Sequence, residues 1–401
     1  MSAPLDAYVS FRSRDFRLLL TGTFLTNFGM QMLSVAVSWD LYMQTHSALV
    51  LGNVGFVQVA PFLIFALYAG HVADRYDRRR VMLATQALLL GGSVLLAVAP
   101  RSVALIYTCL FLIQMGRALQ NPARQAMLPQ IVPMEALNNA IAWHTSAFEI
   151  ASVSGPALAG ILVAAVGSGT VYVAQVGCAL LTLGCVWSMR YRGEGRGNGS
   201  AAEGQSLLEG LRFVWRNKLV LPAISLDLFA VLFGGATALL PIFAVDILHS
   251  GARGLGWLRA ASSVGAILMA FGQAHSRPLR RPGVALLWAV AGFGAATVVF
   301  GFSRWMWLSF VMLMLLGGLD NVSVVLRQSL VQKKTPDAVR GRVLAVNSIF
   351  ISCSNQLGAV ESGWTAAWFG AVPSVVGGGL ATILVVIAFA VGSADLRGWT
   401  E

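Results

Sequence analysis

Hydrophobic residues in this chain come in long runs, and the short stretches between the runs hold nearly all of the charge. The runs fall at about 17 to 42, 48 to 73, 80 to 99, 102 to 122, 139 to 165 and 169 to 189. They resume at about 219 to 247, 254 to 275, 283 to 302, 305 to 326, 342 to 368 and 371 to 392. Each has about the 20 residues that a helix needs to cross the hydrocarbon core of a bilayer. The runs are apolar all round and lack the in-out alternation of barrel strands. With no water at membrane depth to satisfy the backbone, helices are the spanning structure. The pattern predicts an all-α membrane protein with twelve transmembrane helices.

The two sets of six are separated by a polar, glycine-rich stretch, Gly193 to Ser200, of a composition that suits a flexible linker. After it, Ser206 to Arg216 reads as a short amphipathic helix at the membrane surface. The expected organisation is an N-terminal six-helix bundle over 1–190, a cytoplasmic linker with that helix over 191–216, and a C-terminal bundle over 217–401. The sets repeat one another. At a shift of 203, Arg124-Gln125 falls on Arg327-Gln328, Pro133 on Pro336 and Gly155 on Gly358. At a shift of 202, Gly70, Arg75, Arg78 and Arg79 meet Gly272, Arg277, Arg280 and Arg281. An even number of spans per repeat makes the two repeats parallel, an arrangement that in transporters puts the substrate site near the midplane between them.

Composition agrees: 57% of the 401 residues are hydrophobic and 11% charged, too little polar surface to cover a water-soluble globule of this size. The net charge of +11 would suit nucleic acid, but the cations decide otherwise by their position. Arg75, Arg78, Arg79, Arg80, Arg124, Arg277, Arg280, Arg281, Arg327, Lys333 and Lys334 all fall in alternate inter-run segments assigned to the inside. The other side keeps little more than Arg101, Arg253, Arg259 and Arg304. This is the positive-inside pattern, which places both termini in the cytoplasm of a multi-pass cell (inner) membrane protein and removes the case for nucleic acid. No removable signal peptide is read in Met1 to Arg17. Cys109, Cys178, Cys185 and Cys353 lie inside apolar runs without metal-site spacing, and no pair of histidines has ligand spacing. Neither a metal nor a cofactor is expected.

The loop after the second span reads Gly70-His71-Val72-Ala73-Asp74-Arg75-Tyr76-Asp77-Arg78-Arg79-Arg80 and resembles the signature loop of the major facilitator superfamily. It departs at Val72, usually leucine, and at Asp77, usually glycine. The resemblance implies a conformational gate built on Gly70, Asp74, Arg75, Arg78 and Arg79, with Asp74, Arg75 and Arg78 clasping the halves on the cytoplasmic side and releasing them during rocking. A carboxylate at a helix N-terminus gains about 0.3 to 1 kcal/mol, enough to bias states that differ by little. In the fifth span, Ser154-Gly155-Pro156-Ala157-Leu158-Ala159-Gly160 resembles the glycine-proline motif of drug and proton antiporters, with a kink implied at Gly155 and Pro156. A proline-kinked helix with small residues for close packing fits the same residues. Arg117-Ala118-Leu119-Gln120 resembles the buried-arginine motif linked in that superfamily to proton coupling, with Asn121 at the usual glycine. The whole chain is similar to the exporter branch that contains the enterobactin exporter and macrolide efflux proteins.

Ionisable groups inside spans cost at least about 2.5 kcal/mol at a helix centre, so Glu149, Arg117, Asp227 and Asp320 are the proton-coupling candidates. Low-dielectric surroundings disfavour a charged carboxylate, which suits Glu149 to proton exchange. It forms a helical stripe with Thr145 and Ser152, and the repeat puts Ser348, Ser352 and Asn355 at the equivalent positions. Asn27, Gln31 and Gln58 are further cavity candidates. A structural hydrogen bond is the alternative for each. Asp40 and Asp246 read as solvated carboxylates at outer helix ends.

No H-E-x-x-H, G-x-S-x-G or G-x-x-x-x-G-K-[ST] occurs, so an enzyme lacks its usual residues. The expected function is a secondary active transporter, a proton-coupled exporter of small amphipathic molecules of drug or siderophore type. Its partners would be a small-molecule substrate, protons and the lipid bilayer, and the chain would work as a monomer. An importer or uniporter, and a membrane receptor or scaffold without transport, remain as alternatives.

Overall fold

A computed structural model describes residues 8–99, 102–191, 203–217, 219–275 and 281–399. The glycine-rich linker stretch 193–200 lies outside the described residues. Among those described there are no strands, and twelve helical segments are long and apolar enough to cross a membrane.

The first six are α1 (Arg14–Thr45), α2 (Ala48–Arg75), α3 (Arg78–Val98), α4 (Val103–Ile131), α5 (Leu137–Ala165) and α6 (Ser168–Trp187). A short helix, α7 (Glu203–Arg216), then precedes the seventh span, which is not the single helix that its apolar run suggests. It runs as α8 (Val220–Phe233), a 3-10 turn at Ala236–Leu239, α9 (Leu240–Ile242) and a π-helical turn at Phe243–Ile247. The interruption sits at Gly234-Gly235, two residues of low helix propensity. The remaining helices are α10 (Gly251–Ala274), α11 (Pro282–Phe302), α12 (Met306–Lys334), α13 (Asp337–Phe369), α14 (Ala371–Gly392) and α15 (Ala394–Arg397).

The repeat extends to the backbone. His46 and His249, 203 residues apart, both adopt the left-handed conformation, with φ of 46° and 48°. Gly167 and Gly370, at the same offset, precede α6 and α14 with φ of 102° and 93°, a conformation that favours glycine. Helix starts follow capping chemistry. The Asp77 carboxylate accepts from the N–H groups of Arg79 (2.8 Å) and Arg80 at the start of α3, which accounts for an acid where the signature loop usually has glycine. Asn217 accepts from Leu219 and Val220 at 3.0 Å to open α8.

Contacts divide the chain into two compact units. One takes in the described parts of 1–37 and 60–200, the other those of 38–59 and 201–401. In the first, α3 packs on α4 and α6. In the second, α10 packs on α12, α11 on α12 and α14, and α13 on α7, α8 and α14. The second unit includes the segment Ser38–Val59, which packs through small residues: a Cβ on Gly52 would stand 2.8 Å from the Gly363 Cα. The Tyr42 hydroxyl there donates to Asp246, and the Arg259 guanidinium to the Ser38 hydroxyl at 3.2 Å. Asp40 is only 8% exposed, so it is not the solvated carboxylate expected at an outer helix end. It lies within α1, in the segment Ser38–Val59 that packs into the second unit.

The same glycine geometry serves both repeats. A Cβ on Gly155 would meet the Phe28 carbonyl at 3.0 Å and the Gln31 Cβ at 2.8 Å. One on Gly358 would meet the carbonyl of Val231, the repeat equivalent of Phe28, at 2.6 Å. Absence of a side chain lets α5 approach α1, and α13 approach α8, at backbone distance.

Candidate functional site

Each unit contains a small cavity against its fourth helix, lined in part by Gln120 in the first and by its repeat equivalent Ser323 in the second. In the second unit the cavity is lined by Asp227, Ala230, Val231, Val290, Phe293, Leu319, Asp320 and Ser323. Asp227 is carried by α8, and Asp320, Ser323 and Arg327 recur on one face of α12 at spacings of three and four residues. Arg327 is 1% exposed and forms an ion pair with Asp227, which also accepts from the Ser323 hydroxyl at 3.2 Å. The Nε and Nη2 of Arg327 are buried without a hydrogen-bond partner. Asp320 has no hydrogen bond or ion pair among the described residues.

In the first unit the cavity is lined by Leu19, Gly22, Thr23, Thr26, Met82, Gln120, Arg124, Thr182 and Val186. Gln120, the repeat equivalent of Ser323, donates to the Gln86 carbonyl oxygen at 3.1 Å, and Gln86 donates to the Ala179 carbonyl at 3.2 Å. Thr182 donates to the Gly22 carbonyl at 3.2 Å, and Thr26 to Thr182 at 3.3 Å. The Thr23 hydroxyl is buried and unpartnered. Arg124 donates to the Asn121 side chain at 2.8 Å and Arg117 to the Gln114 side chain at 3.4 Å. Neither arginine forms an ion pair among the described residues.

The remaining predicted residues are distributed as follows. Gly70 and Asp74 lie in a stretch of α2 whose side chains are outside the described residues. Arg75 is exposed at the end of α2. Arg78 donates to the Ala126 carbonyl at 3.0 Å, and Arg79 to the carbonyls of Val186 (3.2 Å) and Trp187, so both tie α3 to other helices of their own unit. The Trp187 and Val186 carbonyls end α6, where a cation is favoured by the helix dipole. On α5, Glu149 is half-buried and has no partner among the described residues, whereas Thr145 donates to the Ile141 carbonyl at 3.0 Å. Ser152 is buried and accepts from the Gln31 amide at 3.1 Å, joining α5 to α1 beside Gly155. Pro156 lies inside α5. Asn27 is buried on α1, and Gln58 is half-buried on α2 in the other unit. On α13, Ser348 and Asn355 donate to carbonyls of their own helix at 3.0 and 2.8 Å, and Ser352 is half-buried.

Hydrophobic run boundaries misplaced two arginines. Read as inside-loop charges, Arg124 and Arg327 belong to α4 and α12, which continue past the apolar runs to Ile131 and Lys334. The signal that finds them is their match at the repeat offset. Arg259 and Glu361 are also within spans, on α10 and α13. Arg259, read as an outer-side charge, is bonded to Ser38 instead.

The comparisons with known proteins agree with this architecture. A family model described as transmembrane secretion effector matches residues 5–400. The staphyloferrin A transporter of Staphylococcus aureus is 28% identical over 174 residues, 42% of this chain and 43% of that protein, so that match spans less than half of the relative. The enterobactin exporter EntS of Shigella boydii is 27% identical over 393 residues, covering 96% of this chain and 93% of that protein. The multidrug efflux pump Tap of Mycolicibacterium fortuitum is 25% identical over 364 residues, covering 86% and 88%. Among solved structures, the POT family transporter PepTSo superposes with a TM-score of 0.75 at 12% identity, covering 96% of this chain and 98% of that one. A D-xylose-proton symporter superposes with a TM-score of 0.74 at 13% identity, covering 97% and 99%. The fold and the relatives are those of multi-pass transporters, not of enzymes.

Proposed function

The chain belongs to the transmembrane secretion effector family of the major facilitator superfamily, and from that premise we propose that it is a proton-coupled exporter of small amphipathic molecules, of drug or siderophore type, working by alternating access. It acts as a monomer in the inner membrane with both termini in the cytoplasm, the side to which the excess of arginine in alternate loops points.

The observation that carries the reading is Asp320. Asp320 lines the same cavity as Asp227, the ion-pair partner of Arg327, and is on the same helix as Arg327, yet bonds to nothing among the described residues. A carboxyl kept at membrane depth without a partner is costly, whereas one that binds and releases a proton has a reason to be there. When Asp320 is neutral, Arg327 holds Asp227 alone. When Asp320 is charged, it competes for the same guanidinium, so one proton changes which helices are tied together. Glu149, half-buried and unpartnered on α5, is a second carrier of the same kind in the first unit. The pairs Gln31–Ser152 and Ser323–Asp227 hold α1 to α5 and α12 to α8 while these groups titrate.

The test is efflux of a lipophilic dye from proteoliposomes under an imposed pH gradient. Asp320→Asn is expected to lower gradient-driven efflux at least about tenfold, the size of effect reported by about 1.4 kcal/mol of lost coupling, while exchange without a gradient survives. Wild-type efflux indifferent to the gradient, or a full gradient response in both Asp320→Asn and Glu149→Gln, would overturn the proposal.

A further inference from the structure

Each repeat opens with a short helical segment ahead of its first span, and the two segments dock in the same way. In the second repeat, Val214 of α7 is buried with Val220 and Ile224 of α8, Val331 of α12, and Val343 and Val346 of α13. A Cβ on Gly210 would stand 3.0 Å from the Arg342 backbone, and the Arg342 guanidinium pairs with Glu209. In the first repeat the 3-10 turn Val9–Arg12 takes this place. Its Phe11, the repeat equivalent of Val214, packs edge-on against Trp143, the equivalent of Val346, with ring centroids 5.0 Å apart. Ser10 donates to the Asn139 side chain at 2.6 Å, and Asn139 is the equivalent of Arg342.

Docking uses one face of α7 and leaves the rest of its surface uncovered. At about 100° per residue, Gly210, Phe213, Val214 and Asn217 share the packed face. Leu211 and Trp215 follow as an apolar stripe, and Arg212 and Arg216 form a basic stripe beyond it. Trp215 is 72% exposed and Leu211 38%. Both arginines are exposed and bond to nothing among the described residues. Glu209 gives its charge to Arg342 and so does not neutralise them. The chain fixes where this surface lies. Asn217 caps α8, a membrane span that begins at Val220, so Trp215 stands at the edge of the hydrocarbon layer. Tryptophan favours that boundary, and an arginine beside it reaches the headgroups while its stem lies on apolar surface. A helix with packed, apolar and basic faces in this order is built to lie on a leaflet, with phosphate groups opposite its arginines. The first repeat carries the same combination: Tyr8, the equivalent of Leu211, is 62% exposed, and Arg12 and Arg14 are exposed beside it.

We propose that the outer face of α7 is a binding surface for anionic phospholipid, with Leu211 and Trp215 entering the leaflet and Arg212 and Arg216 holding the headgroup phosphate. Through Val214, Gly210 and the Glu209–Arg342 pair, the lipid is tied to the first turns of α13. The surface is independent of what the protein exports and of how export is driven.

The experiment uses the full-length protein in mixed micelles containing phosphatidylglycerol or phosphatidylcholine with brominated acyl chains, which quench tryptophan on contact. The difference in quenching between the wild type and Trp215→Phe isolates Trp215. Phosphatidylglycerol is expected to bind there more tightly than phosphatidylcholine, by about fivefold for each arginine that meets the headgroup. Arg212→Gln with Arg216→Gln should abolish the preference while Trp215 remains quenched by both lipids. Arg212→Lys with Arg216→Lys should keep most of it, and this variant carries the comparison if the glutamine pair does not fold. Arg304→Gln, which removes an exposed arginine between α11 and α12, should change nothing. No quenching of Trp215 by either lipid would overturn the proposal, because the stripe would then not touch the leaflet. So would equal binding of the two lipids, a preference that survives the glutamine pair, or displacement of phosphatidylglycerol by millimolar inorganic phosphate, which would make this a site for free anions.

Discussion

Removing members of the Asp227–Arg327–Asp320 group singly and together should give non-additive losses of stability. Removing one partner of a buried ion pair typically costs about 3 to 5 kcal/mol, because the other charge is left without compensation, and this is a large part of a typical net stability of about 5 to 15 kcal/mol. The two partners are not alike. In Arg327→Met, Asp227 keeps the Ser323 hydroxyl at 3.2 Å and can take up a proton, so the loss should be near the 1 to 3 kcal/mol of a poorly satisfied buried group, about 2 kcal/mol. In Asp227→Asn the guanidinium cannot shed its charge, but Asp320, seven residues earlier on the same helix and on the wall of the same cavity, is free to turn to it. That loss should also stay near about 2 kcal/mol. Asp227→Asn combined with Asp320→Asn removes both acids, and the full cost of about 3 to 5 kcal/mol should appear, exceeding the sum of the single losses by about 1 kcal/mol or more. The charge-free pair Asp227→Leu with Arg327→Met should come back to within about 1 kcal/mol of the wild type. Chemical unfolding in detergent micelles at neutral pH, followed by tryptophan fluorescence, measures these variants, Asp320→Asn alone and the wild type. Strict additivity of the two acid substitutions would show that Asp320 does not share Arg327. A charge-free pair no more stable than Asp227→Asn would refute the ion-pair reasoning altogether.

Two further outcomes follow from local geometry. Asp77→Ala removes the cap of α3 and should cost about 1 kcal/mol, whereas Asp77→Gly should cost only a few tenths, since glycine tolerates the cap position; comparing the melting temperatures of the two variants checks this, and equal losses would mean that the carboxylate does more than cap. Gly358→Ala places a Cβ 2.6 Å from the Val231 carbonyl, so α8 and α13 must separate, at a cost of about 1 to 3 kcal/mol. Gly377→Ala, whose new Cβ meets nothing within 4 Å, is the control that should fold normally; a stable Gly358→Ala protein would contradict the close crossing.

How much of this was legible beforehand differs from residue to residue. Asp320 and Glu149 were visible as acids inside apolar runs, since any charge there is conspicuous against its neighbours. The departure at Asp77 was visible too, but its reason was not: a cap is recognised only when the N–H groups it accepts from are in place. Arg124 and Arg327 were hidden by their own polarity, which pulled the apparent run ends inward to 122 and 326. The helices in fact continue, because a buried arginine with a partner, or with a cavity to face, does not need to end one. The break in the seventh span was equally hidden, for Gly234-Gly235 occurs in a run as apolar as any other and many membrane helices carry glycine without breaking.

Twelve spans, their parallel duplication and the uneven placement of cations between them are legible along the chain. These follow from properties that act along the chain: the length of apolar residues a bilayer requires, and the position of charge relative to it. Tertiary structure alone decided which charges are paired. Asp227 and Arg327 are 100 residues apart, and their bond exists because α8 and α12 pack together. Arg124, at the same place in the other repeat, has Phe24 where that aspartate would be and forms no ion pair among the described residues. Electrostatic energy at membrane depth depends on which helices are neighbours, and one charge in a run of apolar residues looks the same to the sequence whether it has a partner or not.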